Sequence, residues 1–406
     1  MMMNQQIAAK RNSGGIKEEK ISLVLTYIQN HPSTSRIEIA KSMNLNPATV
    51  GRVMDDIIGW GLLEYAGAGE SSGGRKPDCY SVNPKAGYAL GVDITKRGME
   101  AALFNLAGEH EGKEWAPFVQ NEDFFEQLSA FVSRALEKAG DKKMLGVGVG
   151  MSGNIIHEVV KYSNVFEYRD VPLGAILRTR FTYPLIVEER VKCAAYACKA
   201  SGNTAGYTDV VYMQIGMGIG MGIIMGGEIY NGGGGNAAGE IGHTVLEEGG
   251  PLCFCGSRGC LEQFASEQAM IRAVTAGLEG GRESAVTEMS HGDLSAINGN
   301  MIVLAAEAGD ELCAQTIREA CRRLALGIHN MFMLLNPGKL IIKNNISENN
   351  DLIGSLIYDS LKRLSVKMYN WPDKVVFADD RDIVLRGGAR IMIDKMFENP
   401  KRFYGK

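Results

Sequence analysis

The alternation of apolar and polar positions is clearest in the first eighty residues. Between Lys20 and Asn30, Ile21, Leu23, Val24, Leu25, Tyr27 and Ile28 repeat at helical spacing, which predicts a helix with one core-facing side. Ser35 is placed to cap a second, short helix ending near Met43, and Glu38 three residues later completes a capping box. Asn46 caps a third helix with Pro47 at its first position and Val50, Val53, Met54, Ile57 and Ile58 as its buried stripe. Trp60, Gly61, Leu62 and Leu63 close that helix and open an extended stretch. After a glycine-rich turn, Cys79–Val82 reads as the returning strand. Three short helices followed by a hairpin describe a winged helix-turn-helix. Further along, Val210–Gly216 and Leu340–Ile342 read as strands, and Glu311–Leu335 as a long helix with a repeating apolar face.

In a winged helix-turn-helix the third helix enters the major groove with its N-terminal end leading. Its candidate contacts are Asn46, Ala48, Thr49 and Arg52, joined by Ser35 and Arg36 at the start of the second helix. Thr49 suits a base edge or a phosphate, and Arg52 suits guanine or backbone oxygens. The wing, Ser71–Pro77, adds Arg75 and Lys76 among glycines, a pattern suited to phosphates or a narrow minor groove. Charge supports this modestly. Through Lys85 there are 10 Lys/Arg against 8 Asp/Glu, with Asp55 and Asp56 just after the reading end. A trihelical module that binds protein instead of DNA fits the same pattern.

Composition sets wider bounds. The chain has 406 residues, 45% hydrophobic and 22% charged, enough for about two to four domains. A net charge of -4 means that any nucleic-acid site is local. The start lacks the apolar stretch of a signal peptide and no 18-residue apolar run occurs, so a cytoplasmic location is expected. Three of the 8 cysteines, Cys253, Cys255 and Cys260, lie close together and follow His243. One imidazole and three thiolates form a common donor set for structural Zn²⁺, and no position is left for a catalytic water. The remaining cysteines read as ordinary semi-buried residues, as expected in a reducing compartment. Glu240 and Glu262 flank the metal loop.

The chain resembles the ROK family (repressors, open reading frames and kinases), in particular its xylose-repressor and N-acetylglucosamine-repressor types. The resemblance rests on LNPATVGRV at 45–53, GGRKP at 73–77, LGVDI at 90–94 and GVGVGMSG at 146–153. It continues through GMGIGMGIIMGG at 216–227, GEIGH at 239–243 and CFCGSRGCLE at 253–262. It implies an α/β fold: a winged helix-turn-helix over 1–85, then a two-lobed actin/hexokinase-like (ribonuclease H-like) domain. The first lobe would cover 86–183 and about 381–406, with a C-terminal helix near Ala389–Phe397. The second would cover 184–380, with the linker around 66–86. In ROK kinases the residues matching Glu240, His243 and Glu262 bind sugar, and the matching histidine also serves the metal. Asn164 matches a further sugar-contact region, and Asn154, Glu189 and Arg190 are looser candidates for the same cleft.

The same resemblance exposes what is missing. Where ROK kinases read V-E-N-D-A-N-A-A, this chain has Val187-Glu188-Glu189-Arg190-Val191-Lys192-Cys193-Ala194, so the base position falls on an arginine that stays protonated. The phosphate motif D-x-G-G-T-K becomes Asp93-Ile94-Thr95-Lys96-Arg97-Gly98. Met217 replaces a threonine in Gly216–Gly220, and Ile341-Ile342-Lys343-Asn344-Asn345 replaces a glycine-rich stretch. No ATP requirement and no catalytic residue are expected. Arg190 then has two roles open: pairing with Glu189 or Glu262, or recognising an anionic inducer such as a sugar phosphate. The resemblance implies a homo-dimer or tetramer that binds operator DNA and responds to a sugar or sugar phosphate. A divergent sugar kinase is the competing enzyme reading.

Overall fold

The computed structural model describes residues 13–70, 76–119, 122–163, 165–199, 204, 206–234, 236–347, 351–364 and 371–404. Two compact units divide the chain: Met1–Arg190 with Val384–Lys406, and Val191–Ile383. The first begins with α1 (Ser13–Asn30), β1 (Thr34–Ser35), α2 (Arg36–Ser42) and α3 (Pro47–Gly59), followed by β2 (Leu63–Ala68) and β3 (Asp78–Val82). The three strands pair antiparallel in the order β1–β3–β2. This is a winged helix-turn-helix, with both expected caps in place. The Ser35 hydroxyl accepts from the Glu38 N–H while Glu38 reaches back to the Ser35 N–H. Asn46 accepts from the Ala48 N–H ahead of Pro47.

The linker expected over 66–86 is mostly the wing itself. Only Asn83–Gly87 connects the head to the next strand, and Pro84–Ala86 within it forms a 3₁₀ turn. The main sheet of the first unit contains β4 (Tyr88–Thr95), β5 (Gly98–Asn105) and β6 (His110–Ala116). After α4 (Phe124–Glu137) comes β7 (Met144–Met151). A small sheet of β8 (Asn154–Ile156), β9 (Val159–Ser163) and β10 (Tyr168–Val171) follows, then α5 (Leu173–Arg178) and β11 (Leu185–Glu189). β11 pairs in parallel with β7, so residues 184–190 belong to the first unit, a correction to the expected lobe limit at 183/184.

The second unit opens in α6 (Arg190–Lys199) and continues through β12 (Val210–Ile215), β13 (Ile219–Met225) and β14 (Glu228–Ile229). The helices α7 (Glu262–Ala265), α8 (Glu267–Glu279), α9 (Val286–Met289), α10 (Gly299–Glu307) and α11 (Glu311–Leu335) come next. β15 (Lys339–Asn344), α12 (Asp351–Leu364) and β16 (Val375–Phe377) complete it, before α13 (Ile383–Glu398) and α14 (Pro400–Tyr404) return to the first. α13 is longer than the helix expected near Ala389–Phe397. Its backbone lies directly on the first sheet: a Cβ on Gly148 would sit 2.0 Å from the Gly388 carbonyl oxygen.

The two large sheets repeat one plan. Each runs 5-4-1-2-3 when its strands are counted in chain order: β11–β7–β4–β5–β6 and β16–β15–β12–β13–β14. In both, the first three strands form antiparallel hairpins and the last two run parallel to strand one. Short turns suffice for the hairpins, whereas the parallel strands require helical crossovers, which explains where the helices fall. The second core gathers Leu324, Ile328 and Phe332 of α11 against β12, β13 and β15. In the first unit, Val24, Leu25 and Ile28 of α1 share a single core with Phe104, Leu145, Met392 and Met396. The head is therefore packed onto the body of its unit by buried apolar surface.

Candidate functional site

In the second unit the chain runs from β14 through a glycine-rich segment to a 3₁₀ turn, Ile241–His243. Ile241 anchors this turn in the core and His243 projects from its end. The following loop doubles back. Val245 bridges Cys260, Leu252 bridges Arg258, and the Cys253 N–H donates to the Ser257 carbonyl. The reversal needs Gly259 at φ +72°, where a Cβ would lie 1.7 Å from the Glu247 carbonyl oxygen. Arg323 of α11 secures the loop from outside, pairing with Glu247 at 2.8 Å and lying over the Phe264 ring.

The turn and loop bring His243, Cys253, Cys255 and Cys260 together, with one donor atom from each within 4.8 Å of the others. Cys253 Sγ lies 3.5 Å from His243 Nδ1, and Cys255 Sγ lies 3.7 Å from Cys260 Sγ. A tetrahedral zinc with Zn–S of ~2.3 Å and Zn–N of ~2.0 Å sets sulfur–nitrogen and sulfur–sulfur edges near ~3.5 and ~3.8 Å. The donor set therefore fits a structural Zn²⁺. Without a cation the cluster is uncomfortable: burial, reinforced by the two neighbouring thiols, pushes Cys260 up to about 12. Burial also raises Cys255, but hydrogen bonding with Ser257 and the adjacent thiols outweighs it and leaves this thiol below its ordinary value. Four protein donors supply folding energy and leave no open ligand position.

Both ring nitrogens of His243 have a task. Nδ1 faces the cluster, while Nε2 lies 3.9 Å from a Glu240 carboxylate oxygen. Glu262 stands at the start of α7, two residues after Cys260, and its Oε2 accepts from the Ile219 N–H at 2.9 Å. Burial raises its pKa, opposed by that N–H and by His243, with nearby Glu240 adding to the rise. Gly218 makes room for it: a Cβ there would meet Glu262 Oε2 at 2.6 Å. Glu240, His243 and Glu262 thus form one polar face held by the metal loop. Lys192 is buried and donates from Nζ to the Asn236 carbonyl in the glycine-rich segment.

Arg190 takes a carboxylate partner that the sequence did not single out. It forms a two-pronged ion pair with Asp93, Nε to Oδ1 at 2.5 Å and Nη2 to Oδ2 at 2.9 Å. The side chains are 18% and 8% exposed. The residue that matches the kinase base position therefore pairs with the acidic residue that matches the kinases' first phosphate motif. Glu189 is also buried, its carboxylate accepting from the Ile155 N–H, so it is committed to the backbone entering β8. Asn154 is half-buried at the start of β8. Asn164 lies outside the described residues, as does Arg75 of the wing.

On the head, Asn46, Ala48 and Arg52 are exposed and Thr49 half-exposed, along the leading end of α3. Lys76 is exposed beside β3. Ser35 is corrected: it is 1% exposed, and its hydroxyl is used as the cap of α2. Arg36 bridges α2 to α3 through Asp55 at 2.7 Å and lies over Tyr80. The residue missed is Ile37, 70% exposed beside a groove of 290 Å³ lined by Arg36, Ile37, Ala40, Lys41, Leu45 and Pro47. Its signal was an apolar residue out of phase with the buried pair Ile39 and Ala40.

A duplicated mixed sheet, a winged helix-turn-helix before it and a His–Cys₃ loop within it define a sugar-kinase-like body carrying a nucleic-acid-type head. The chain belongs to the ROK family, whose model matches residues 89–394. It is 30% identical over 395 residues to the xylose repressor of Caldicellulosiruptor bescii, spanning 95% of this chain and 98% of that protein. The structure of a ROK family transcriptional regulator, a homologue of the Escherichia coli MLC protein, shares the fold across 95% of this chain and 97% of its own. The TM-score there is 0.80 and the identity 23%. A ROK family glucokinase from Streptomyces griseus, in complex with glucose and AMPPNP, is 26% identical with a TM-score of 0.65. It matches 98% of its own length but only 75% of this chain. The family model starts after the head, and the match to the repressor runs through nearly the whole chain.

Proposed function

We propose that the protein is a sugar-responsive, DNA-binding transcriptional repressor, with the head over 1–85 binding operator DNA and the zinc-organised face of the second unit binding the effector. The observation that carries this reading is the near full-length kinship with a xylose repressor, head included. Arg190 at the base position, already paired with Asp93, supports a body without phosphoryl transfer, because a guanidinium cannot accept the hydroxyl proton. Asn46, Thr49, Arg52 and the wing's Arg75 and Lys76 contact DNA. Glu240, His243 and Glu262 accept or donate to sugar hydroxyls, with Asn154 and Asn164 as further contacts.

The effector is a neutral sugar. The planar fork of Arg190 that would bind a phosphate is spent on Asp93, and the available face carries two carboxylates. The regulator acts as a homo-oligomer, since the head has little excess charge and gains affinity by pairing two reading helices. For the sugar to switch it, the sugar must bind the DNA-releasing state more tightly than the DNA-bound one. Calorimetry with D-xylose, N-acetylglucosamine and their phosphates tests the site directly. Tighter binding of a neutral sugar than of its phosphate, lost in Glu262→Gln, is expected. Preference for the phosphate would overturn the assignment.

A further inference from the structure

The head exposes apolar side chains beside its reading helix. Ile37 is 70% exposed in the first turn of α2, and Pro47 and Ala48 are exposed in the first turn of α3. Ile37 and Pro47 line the same groove, whose remaining walls are Ala40, Leu45, Arg36 and Lys41. None of the described residues lining it is a carboxylate. Asp55, the acid beside Arg36, is held in an ion pair with that arginine, and Glu38 is turned into the α2 cap. An apolar floor with cations at its rim fits an occupant that carries apolar groups among negative charges.

We infer that Ile37, together with Pro47, reads thymine 5-methyl groups in the major groove, making α2 as well as α3 a determinant of operator sequence. The inference rests on the DNA-binding reading proposed above. The major groove is the place where duplex DNA offers a methyl group beside a phosphate backbone. Burying Ile37 in a protein core is not an alternative use, because Ile39 and Ala40 already supply the buried side of α2. At the start of α3, hydrogen bonding falls to Thr49 and to the Asn46 side-chain N–H. Pro47 and Ala48 bring no side-chain donors, and the Asn46 side-chain oxygen is engaged by the Ala48 N–H. Lys41 at the rim serves the phosphates, and the methyl contact supplies the sequence preference.

The test uses the full-length, zinc-loaded protein and a random-sequence duplex pool prepared twice, once with thymine and once with uracil, which lacks the 5-methyl group. Bound duplexes are selected from the thymine pool, remade in both forms, and their affinities compared. Each methyl lost from an Ile37 contact should weaken binding about fourfold. Ile37→Ala should bind the thymine form more weakly and show little remaining difference between the forms, while Arg52→Ala should weaken both forms alike. Tight duplex binding with equal affinity for the two forms overturns the methyl inference and leaves the DNA-binding reading standing. An Ile37→Ala protein that discriminates between the forms as well as the parent does the same. Failure to select any duplex overturns both.

Discussion

The two units build the same five-stranded sheet and then treat the turn between its first two strands in opposite ways. In the first unit the end of β4 carries Asp93, and Arg190 covers its carboxylate with two hydrogen bonds. In the second, the turn from β12 to β13 is Gly216–Gly218, and its Ile219 N–H holds one oxygen of Glu262. One site is filled by the chain's own side chains. The other is propped open by a metal loop, with Glu240 and His243 beside it.

The largest break in this contrast comes from the metal. Cys260→Ser, or chelation of the folded protein, should release about one zinc per chain and unfold the second unit's loop, since structural zinc contributes on the order of 10 kcal/mol. Sugar affinity should vanish with it, whereas the Asp93–Arg190 pair of the first unit gives no reason for loss there. Zinc analysis with calorimetry reads both; unchanged sugar binding in a folded, metal-free protein counts against the metal's organising role.

Arg190→Ala acts on the opposite side. Stranding a buried Asp93 should cost about 3–5 kcal/mol of stability, measured by denaturant unfolding, and Asp93→Ala in the same chain should recover part of it. Sugar affinity should stay near the parent value. A smaller effect is expected from Gly218→Ala, whose added Cβ presses on Glu262 Oε2 and should cost about 1–3 kcal/mol of sugar binding with zinc retained.

The smallest is a pH effect. The guanidinium of Arg322, helped by that of Arg323, holds Glu319 at about 2, and Arg323 also grips the metal loop. The folded value is depressed, so this contribution is present above about 4.5 and lost as pH falls toward 2. The pair is half-exposed, which limits it to a fraction of a kcal/mol. Glu319→Gln should flatten acid unfolding slightly in that window.

Much of the architecture is legible in the residues alone. The caps at Ser35 and Asn46, the helix Glu311–Leu335 and the four metal donors follow from local spacing, which local sequence determines. The Asp93–Arg190 pair is not legible, because 97 residues separate its members and sequence favours nearer acids. Ser35 reads as a DNA contact from sequence because a capping hydroxyl and a DNA-facing hydroxyl look alike until burial is known. Ile37 escapes notice because an exposed apolar side chain has no polar chemistry to flag it. The repeated sheet order emerges from strand pairing between segments far apart in the chain.

The central claim is that the second unit's open site governs what the head does, while the first unit's closed site does not. Fluorescence anisotropy of a duplex selected by the protein itself, titrated with a panel of neutral sugars, tests it in one format. The account predicts that one sugar lowers duplex affinity of the parent and of a folded Arg190→Ala chain, but not of Glu262→Gln. A sugar response that survives Glu262→Gln and disappears in folded Arg190→Ala would contradict it.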